Sequence, residues 1–155
     1  MKFERNMSNS SRLRRERGQA LVEFALTIFI ILFVIFVMIE FCMALYAWNV
    51  LGDAAREGVR YAIVHGANNT NCSGGPSGTP PGCDPNADNV KAVVQDYAQY
   101  SLKDVSGMTV TVQYLDGSNA PSNRVKVDIS YPYVPWFSIP WISTLKTSAQ
   151  GRIVN

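Results

Sequence analysis

The sequence predicts a membrane-anchored α+β protein. A long N-terminal helix is expected to continue outside the membrane, followed by a second amphipathic helix and a small three-stranded antiparallel sheet. Fourteen of the 18 residues from Phe24 to Phe41 are Ile, Leu, Phe or Val. Beyond them, small and apolar residues recur every three or four positions, which is typical of a helix. Near residue 108 the period changes to two, which is typical of strands.

The apolar stretch is long enough to cross a bilayer. Residues 24–47 would form a helix about 36 Å long, against a hydrocarbon core of about 30 Å. Apolar residues favour insertion by about 0.3–0.6 kcal/mol each, which together exceeds the cost of about 3 kcal/mol for one central charge. Secretory signals have apolar cores of only about 7 to 15 residues, and Tyr46 and Trp48 suit the far membrane interface. We predict a transmembrane segment over residues 19–47 that stays attached.

The distribution of charge predicts the direction of this span. Residues 1–18 hold six basic and two acidic residues, a net charge of +4, whereas the remainder has a net charge of −2. Positive flanking segments stay in the cytoplasm. Residues 1–18 are therefore predicted to be a cytoplasmic leader and residues 48–155 an extracytoplasmic domain. A basic cluster can also bind nucleic acid or lipid head groups, but beside a span orientation is favoured, and no nucleic-acid partner is expected.

The first helix is predicted to run from about Gln19 to about Val64, where the turn formers of HGANNTN end it. Small residues on one face, including Gly58, permit close approach of another helix, either the second helix of the same chain, which we favour, or a helix of a partner. That face holds Leu51, Ala54, Ala55, Gly58, Val59 and Ala62. Charged residues that can pair across one turn lie largely off it: Asp53, Arg56, Glu57 and Arg60.

The rest of the chain predicts the second helix and the sheet. Asp88 is a residue type favoured at helix N-caps, and apolar residues follow it on one helical face. Two alternating stretches, Met108–Leu115 and Arg124–Val134, flank the turn-rich DGSNAPSN, which favours an antiparallel pair. A third, less regular strand is predicted over Leu145–Val154. One face of this sheet is expected to cover both helices.

The segment Pro132–Ser143, PYVPWFSIPWIS, fits neither pattern. Its three prolines disfavour helix and sheet alike, and six large apolar residues lie among them. It is either a surface patch that contacts lipid or a partner protein, or a rigid crossover whose aromatic residues fold back over the edge of the sheet. The residues leave both interpretations open.

The cysteines agree with export. Cys72 and Cys83 flank the ten residues SGGPSGTPPG, and closing such a loop with a disulfide is worth about 3 kcal/mol. The bond would persist in an oxidising compartment. A metal site would need more ligands than two thiols and one distant histidine, His65, so the disulfide is favoured and no metal is expected. Cys42 lies in the span and is interpreted as a small apolar filler.

No pattern of catalytic residues is present. The single histidine, His65, lies at a predicted helix end, where a solvated cap residue is the simpler interpretation. No Gly-rich phosphate loop follows a strand, and no His, Cys and Asp cluster has metal-ligand spacing. The sequence predicts neither an enzyme nor a cofactor. The rival hypothesis, an anchored enzyme with an unfamiliar site, would be opposed if replacing His65 and the exported carboxylates changed no phenotype.

The stretch RRERGQALVEF ends a basic cluster in Gly18 and places Glu23 about one turn inside the lipid boundary. An unpaired charge there is costly, so the carboxylate should bind a cation or become protonated. If the chain is cut after Gly18, the α-amino group of Gln19 is cationic and can neutralise Glu23 in its own chain or a neighbour. Alternatively, Glu23 only gains about 0.3–1 kcal/mol from the helix dipole, or reaches the interface.

A second acid, Glu40, lies near the far edge of the span. Acids inside a membrane segment usually face a partner or a water-filled space. Glu40 therefore either contacts a partner helix within the membrane or reaches water at the outer interface, and the second interpretation is favoured because of its position.

These motifs resemble a known family. Basic residues, a glycine, four residues, Glu-Phe and a long apolar helix resemble the processing region of type IV pilin-like proteins. More closely, RGQALVEFAL together with AAREGVRYAIVHG (Ala54–Gly66) is similar to the TadE-like family of tight-adherence (Flp) pilus assembly. Members are minor pilins or pseudopilins of bacteria. The likeness is strong over residues 17–66 and looser through the second helix, the strands and the final SAQGRIV.

The resemblance implies cleavage between Gly18 and Gln19 by a prepilin peptidase, with Glu23 as the acid used for processing or assembly. It also implies a single-pass protein of the bacterial inner membrane, with the peptidase, the lipid bilayer, other pilins and pilus assembly proteins as partners. Major pilins of this type usually have tyrosine where Phe24 stands and are smaller, which favours an accessory component. The alternative is a single-pass, membrane-anchored binding or structural domain that is not processed.

Overall fold

In the computed structural model the described residues are 4–74, 82–135 and 143–154, with side chains from residue 18 onward. The elements are α1 (Glu4–Val64), α2 (Asp88–Gln99), β1 (Thr109–Tyr114), β2 (Arg124–Pro132) and β3 (Thr144–Arg152). The predicted fold class, a long N-terminal apolar helix with a second helix and a three-stranded antiparallel sheet, is confirmed. The chain divides into two compact units, residues 1–41 and 42–155.

Helix α1 ends where the sequence predicts and begins earlier. Its last residue is Val64, after which the side-chain amide of Asn69 donates to the carbonyl of Val64 at 3.4 Å. Its first residue is Glu4, whereas the prediction began at Gln19. The basic leader is rich in Arg, which favours helix, and no Gly or Pro occurs in residues 4–17. The leader therefore extends the helix.

The sheet has the order β1-β2-β3, and both neighbouring pairs are antiparallel. In the register, Val127 of β2 lies between Val112 of β1 and Ala149 of β3. Side chains alternate between the two faces of a strand. One face of β2 therefore carries only apolar side chains into the core, namely Val125, Val127 and Ile129.

The core of the second unit joins α1, α2 and the sheet. The predicted small-residue face of α1 is buried in it, with Leu51, Ala54 and Ala55 fully inaccessible. Gly58 is the point of closest approach, because a Cβ added there would overlap Val94 of α2. The interpretation that this face packs on the chain's own second helix is confirmed. The buried residues of α2 are Val90, Val94 and Ala98.

One prediction about α2 is wrong. Asp88 does not cap the helix: it is the first helical residue and pairs with Lys91 at 2.8 Å. The N-cap position is Ala87, in the left-handed conformation. The first-turn amide of Asn89 instead donates to the carboxylate of Asp84 at 3.0 Å. The residue that follows Cys83 therefore supplies the hydrogen-bond acceptor for a free backbone amide in the first turn of α2.

Strand β3 lies close to α1 within the second unit. A Cβ added at Gly151 would lie 2.5 Å from Cδ1 of Ile63 and 2.7 Å from Cγ1 of Val59. The amide of Val154 donates to the carbonyl of Ile63 at 3.1 Å. The glycine in the final SAQGRIV segment therefore permits the end of the sheet to pack directly on the end of α1.

Candidate processing and assembly site

The predicted processing site lies within α1. Gly18 and Gln19 are both helical and both exposed. A Cβ added at Gly18 meets nothing within 4 Å. The peptide bond between them is therefore accessible along one side of the helix, and no packing in the described chain requires the glycine.

Glu23 lies on the same helical face as Gln19, because residues four apart are neighbours on a helix surface. The two positions are separated by about 6 Å along the helix axis. The side chain of Glu23 is exposed, and its backbone carbonyl accepts a hydrogen bond from the hydroxyl of Thr27 at 2.8 Å. The structure thus brings together the three predicted positions Gly18, Gln19 and Glu23 on about one turn of helix.

Beyond Glu23 the helix carries a continuous apolar surface. Among the described residues, the helix from Gly18 to Val64 is the one long and apolar enough to cross a membrane. Between residues 21 and 39 every residue is exposed, so these side chains are available to lipid or to other helices. The large ones are Leu21, Val22, Phe24, Leu26, Ile28, Phe29, Ile30, Ile31, Leu32, Phe33, Val34, Ile35, Phe36, Val37, Met38 and Ile39.

Glu40 interrupts this surface and is buried, with 6% of its surface exposed. A buried carboxylate needs partners to offset its desolvation. The two interpretations of Glu40, contact with a partner helix or access to water at the outer interface, stay predictions.

At the other end of the helix, the structure joins Cys72 and Cys83 by a disulfide, with Cα atoms 4.8 Å apart. Ser73 and Asp84, the next residue after each cysteine, form a parallel bridge. The amide nitrogen of Ser73 donates to the carbonyl of His65 at 2.9 Å. The cross-link therefore ties the loop after α1 to the start of α2.

A buried asparagine completes this cluster. Asn119, in the β1–β2 connection, donates from its side-chain amide to the backbone carbonyl of Ser73 at 2.9 Å. The backbone carbonyl of Asn119 accepts from the backbone amide of Ala67 at 3.0 Å. Sequence reasoning missed this residue. Its partner Ser73 is 46 positions away, and neither residue belongs to a periodic pattern. Asn119 thus ties the β1–β2 connection to the loop after α1, which the disulfide joins to the start of α2.

His65 and the cysteines form no metal site among the residues that the structure describes, where no group of three or more potential His, Cys, Asp or Glu ligands occurs. The ring of His65 stacks on Tyr61, with centroids 3.9 Å apart, and its Nδ1 lies 2.9 Å from the carbonyl oxygen of Tyr61. His65 therefore packs on the helix end. Cys42 is a free thiol and is exposed on α1.

The outer face of the sheet forms a polar groove of about 660 Å³. Lys126 and Asp128, two residues apart on β2, pair across it at 2.7 Å. Hydroxyl side chains of Thr111 and Ser148 lie beside Asp128 in the strand register. The alternation of polar residues in the predicted strands was the signal for this face, but the groove itself was not predicted.

Two pKa shifts mark the second unit, residues 42–155. The carboxylate of Asp116 accepts bonds from the guanidinium and the backbone amide of Arg124, which lower its pKa to about 2. Burial, with the nearby charge of Asp84, raises the pKa of Tyr114 well above its ordinary value. Neither group lies near Gly18, Gln19 or Glu23 in the chain. These shifts therefore bear on the stability of the unit.

The comparison with protein families matches the same segment of the chain. Residues 18–60 match the family model described as TadE-like protein. No curated protein and no solved structure matches the chain. The matched range begins at the predicted processing glycine and includes Glu23, the apolar surface and Gly58. Residues 18–60 are thus similar to the TadE-like family, as the sequence motifs predict, and among the described residues they include most of a helix that is long and apolar enough to cross a membrane.

Proposed function

We propose that the protein is a minor pilin or pseudopilin that acts in assembly of a bacterial tight-adherence pilus after a prepilin peptidase cuts it between Gly18 and Gln19. One observation carries the proposal. An accessible glycine bond is followed, one helical turn later, by the exposed carboxylate of Glu23, at the start of a long exposed apolar helix. The protein is the substrate of the peptidase and has no catalytic role of its own.

Hydrolysis of the bond leaves a carboxylate on Gly18 and an α-amino group on Gln19, which is cationic at neutral pH. That amine lies on the helical face of Glu23. In lipid the carboxylate is costly without a partner. The new amine neutralises it, either in the same chain or in a neighbouring pilin whose helix packs alongside. Cleavage also removes the basic leader of net charge +4, which would otherwise hold the helix end at the membrane surface.

The proposed orientation follows from the same charges. The leader stays in the cytoplasm by the positive-inside rule, the apolar part of α1 crosses the bacterial inner membrane, and the α+β unit is extracytoplasmic. The disulfide between Cys72 and Cys83 supports this side, since such bonds persist in oxidising compartments. The exposed apolar residues of α1 then pack first against lipid and later against other pilins.

The N-terminus of the mature protein tests this proposal. We expect mass spectrometry of the protein from its native host to find a chain that begins at Gln19, and a host without the peptidase to retain residues 1–18. Gly18→Leu should block cleavage without disturbing the fold, because the site is open. Ala25→Leu, which places the same large side chain at an exposed position of the same helix, should be cut normally.

A mature protein that retains Met1 in a host with an active peptidase would contradict the proposal. It would favour the alternative, an unprocessed membrane-anchored binding or structural domain, for which the polar groove on the outer sheet face is the natural binding surface. In that case Lys126→Ala and Asp128→Ala, which change the groove, would impair function, and Gly18→Leu would not.

A further inference from the structure

The exported unit has an apolar cavity beside the last turn of the predicted span. It measures about 690 Å³ and is formed by three parts of the chain: α1, the α2–β1 connection and the end of β2. Met43, Tyr46 and Ala47 supply the α1 wall. The opposite walls include Leu102, Tyr131 and Val134.

This cavity starts inside the segment predicted to cross the membrane. Ala44 and Ala47 are buried, and Ala47 belongs to the same core cluster as Leu102 and Met108. The folded unit therefore covers α1 over a turn that lies within the predicted span of residues 19–47. Because the predicted span ends at residue 47, Met43 and Tyr46, and the cavity that they line, lie at the outer edge of the bilayer.

The walls of the cavity are held at that level by specific contacts. The hydroxyl of Tyr131 donates to the carbonyl of Asp104 at 2.9 Å, which joins β2 to the α2–β1 connection. A Cβ added at Gly107 would lie 2.7 Å from Cγ of Pro132, so the two segments are in close contact. The α2–β1 connection and the end of β2 are therefore held together, so both stay beside α1 at the membrane interface.

The chemistry of the surface matches a membrane interface. Met43 and Tyr46 are exposed, and Val134 is 81% exposed although it is aliphatic. Lys103 and Asp104 lie beside these apolar residues. Aromatic and long basic residues are favoured at the level of lipid head groups, where their apolar parts contact acyl chains and their polar ends reach water.

We propose that this surface, formed by Met43, Tyr46, Lys103, Tyr131 and Val134, binds the head-group layer of the leaflet at which α1 leaves the bilayer. Met43, Tyr46 and Ala47 belong both to the cavity wall and to the predicted span, so the occupant of the cavity is the lipid that surrounds that part of the span. The contact seats the folded unit on the membrane before assembly. It depends on anchoring by α1 and does not depend on cleavage after Gly18.

Two exposed valines allow a matched test. Val134 belongs to the proposed surface. Val154 is 75% exposed, and its backbone amide donates a hydrogen bond to the carbonyl of Ile63 near the far end of α1. Tyr46 and Ile63 are about 26 Å apart along the helix. We would place single thiols by Val134→Cys and Val154→Cys, each with Cys42→Ala to remove the free thiol, and label them with a polarity-sensitive fluorophore.

The full-length chain is reconstituted in phosphatidylethanolamine–phosphatidylglycerol vesicles that contain a lipid with a nitroxide on its head group. We expect the label at residue 134 to be quenched several-fold more by the nitroxide than the label at residue 154, and less by aqueous iodide. Equal quenching at both positions would overturn the proposal. So would a label at residue 134 that is shielded from iodide but not quenched by the nitroxide, which would indicate a second copy of the chain as the occupant.

Discussion

The two halves of helix α1 have the same backbone and opposite surfaces. Leu32, in the first half, is 49% exposed, whereas Leu51, in the second half, is fully buried. Between residues 21 and 39 large apolar side chains are exposed all round the helix. From Ala44 onward, small residues on one face are buried and charged residues lie elsewhere. Size and charge therefore separate an exposed apolar stretch of helix from one that packs on its own domain.

The largest expected effect concerns the exposed half. If the proposed cleavage occurs, Glu23→Ala should leave membrane insertion and the folded unit intact yet strongly impair pilus production, because the new α-amino group of Gln19 would lose its partner. Pili are counted by electron microscopy or recovered by shearing. Thr27→Val is the matched control: it removes the hydroxyl that donates to the Glu23 carbonyl but retains the carboxylate, and should assemble pili. Normal pili from Glu23→Ala would oppose the assigned role.

The second prediction exchanges the same residue type in both halves. Leu51→Ala should lower the free energy of unfolding of the α+β unit by about 2–5 kcal/mol, since it leaves a cavity in a close-packed core. Leu32→Ala should change it very little. Denaturant titration of the detergent-solubilised protein measures both values. Similar losses from the two variants would contradict the distinction between the halves.

The third prediction compares two glycines of the helix. Gly58→Ala should destabilise the unit by about 1–3 kcal/mol, because the added methyl group overlaps Val94 and overpacks the core. Gly18→Ala meets no atom within 4 Å and should favour the helix by up to about 1 kcal/mol. Thermal unfolding followed by circular dichroism compares the variants. A neutral Gly58→Ala would mean that the two helices separate more easily than their packing implies.

Local patterns in the sequence predicted most of this architecture. The three strands, the end of α1 at Val64 and the packing of Gly58 on α2 all follow from periodicity and residue size. The buried Asn119 did not, because it bonds to Ser73, 46 positions away in sequence, which only the fold brings close. The cap at Asp84 is local, five residues before Asn89, but no periodic pattern marks it. For Gly18 and Glu23 the sequence supplied the motif, and the structure adds that both are exposed on one continuous helix.

The smallest expected effect is a pH dependence of the stability of the α+β unit. The folded pKa of Asp116 is about 2, below its ordinary value of 3.8, because Arg124 bonds to the charged carboxylate. Since the folded pKa is the lower one, the stabilisation is complete above about pH 4 and is lost as the pH falls toward 2. Asp116→Asn should therefore lower the thermal unfolding midpoint slightly at pH 6, and the difference from the wild type should disappear between pH 4 and pH 2.

Because the ion pair lies at the β1–β2 turn, far in sequence from the exposed half of α1, the same substitution should leave the proposed cleavage at Gly18 unchanged. A gap that is constant with pH would show that the ion pair does not stabilise the folded unit.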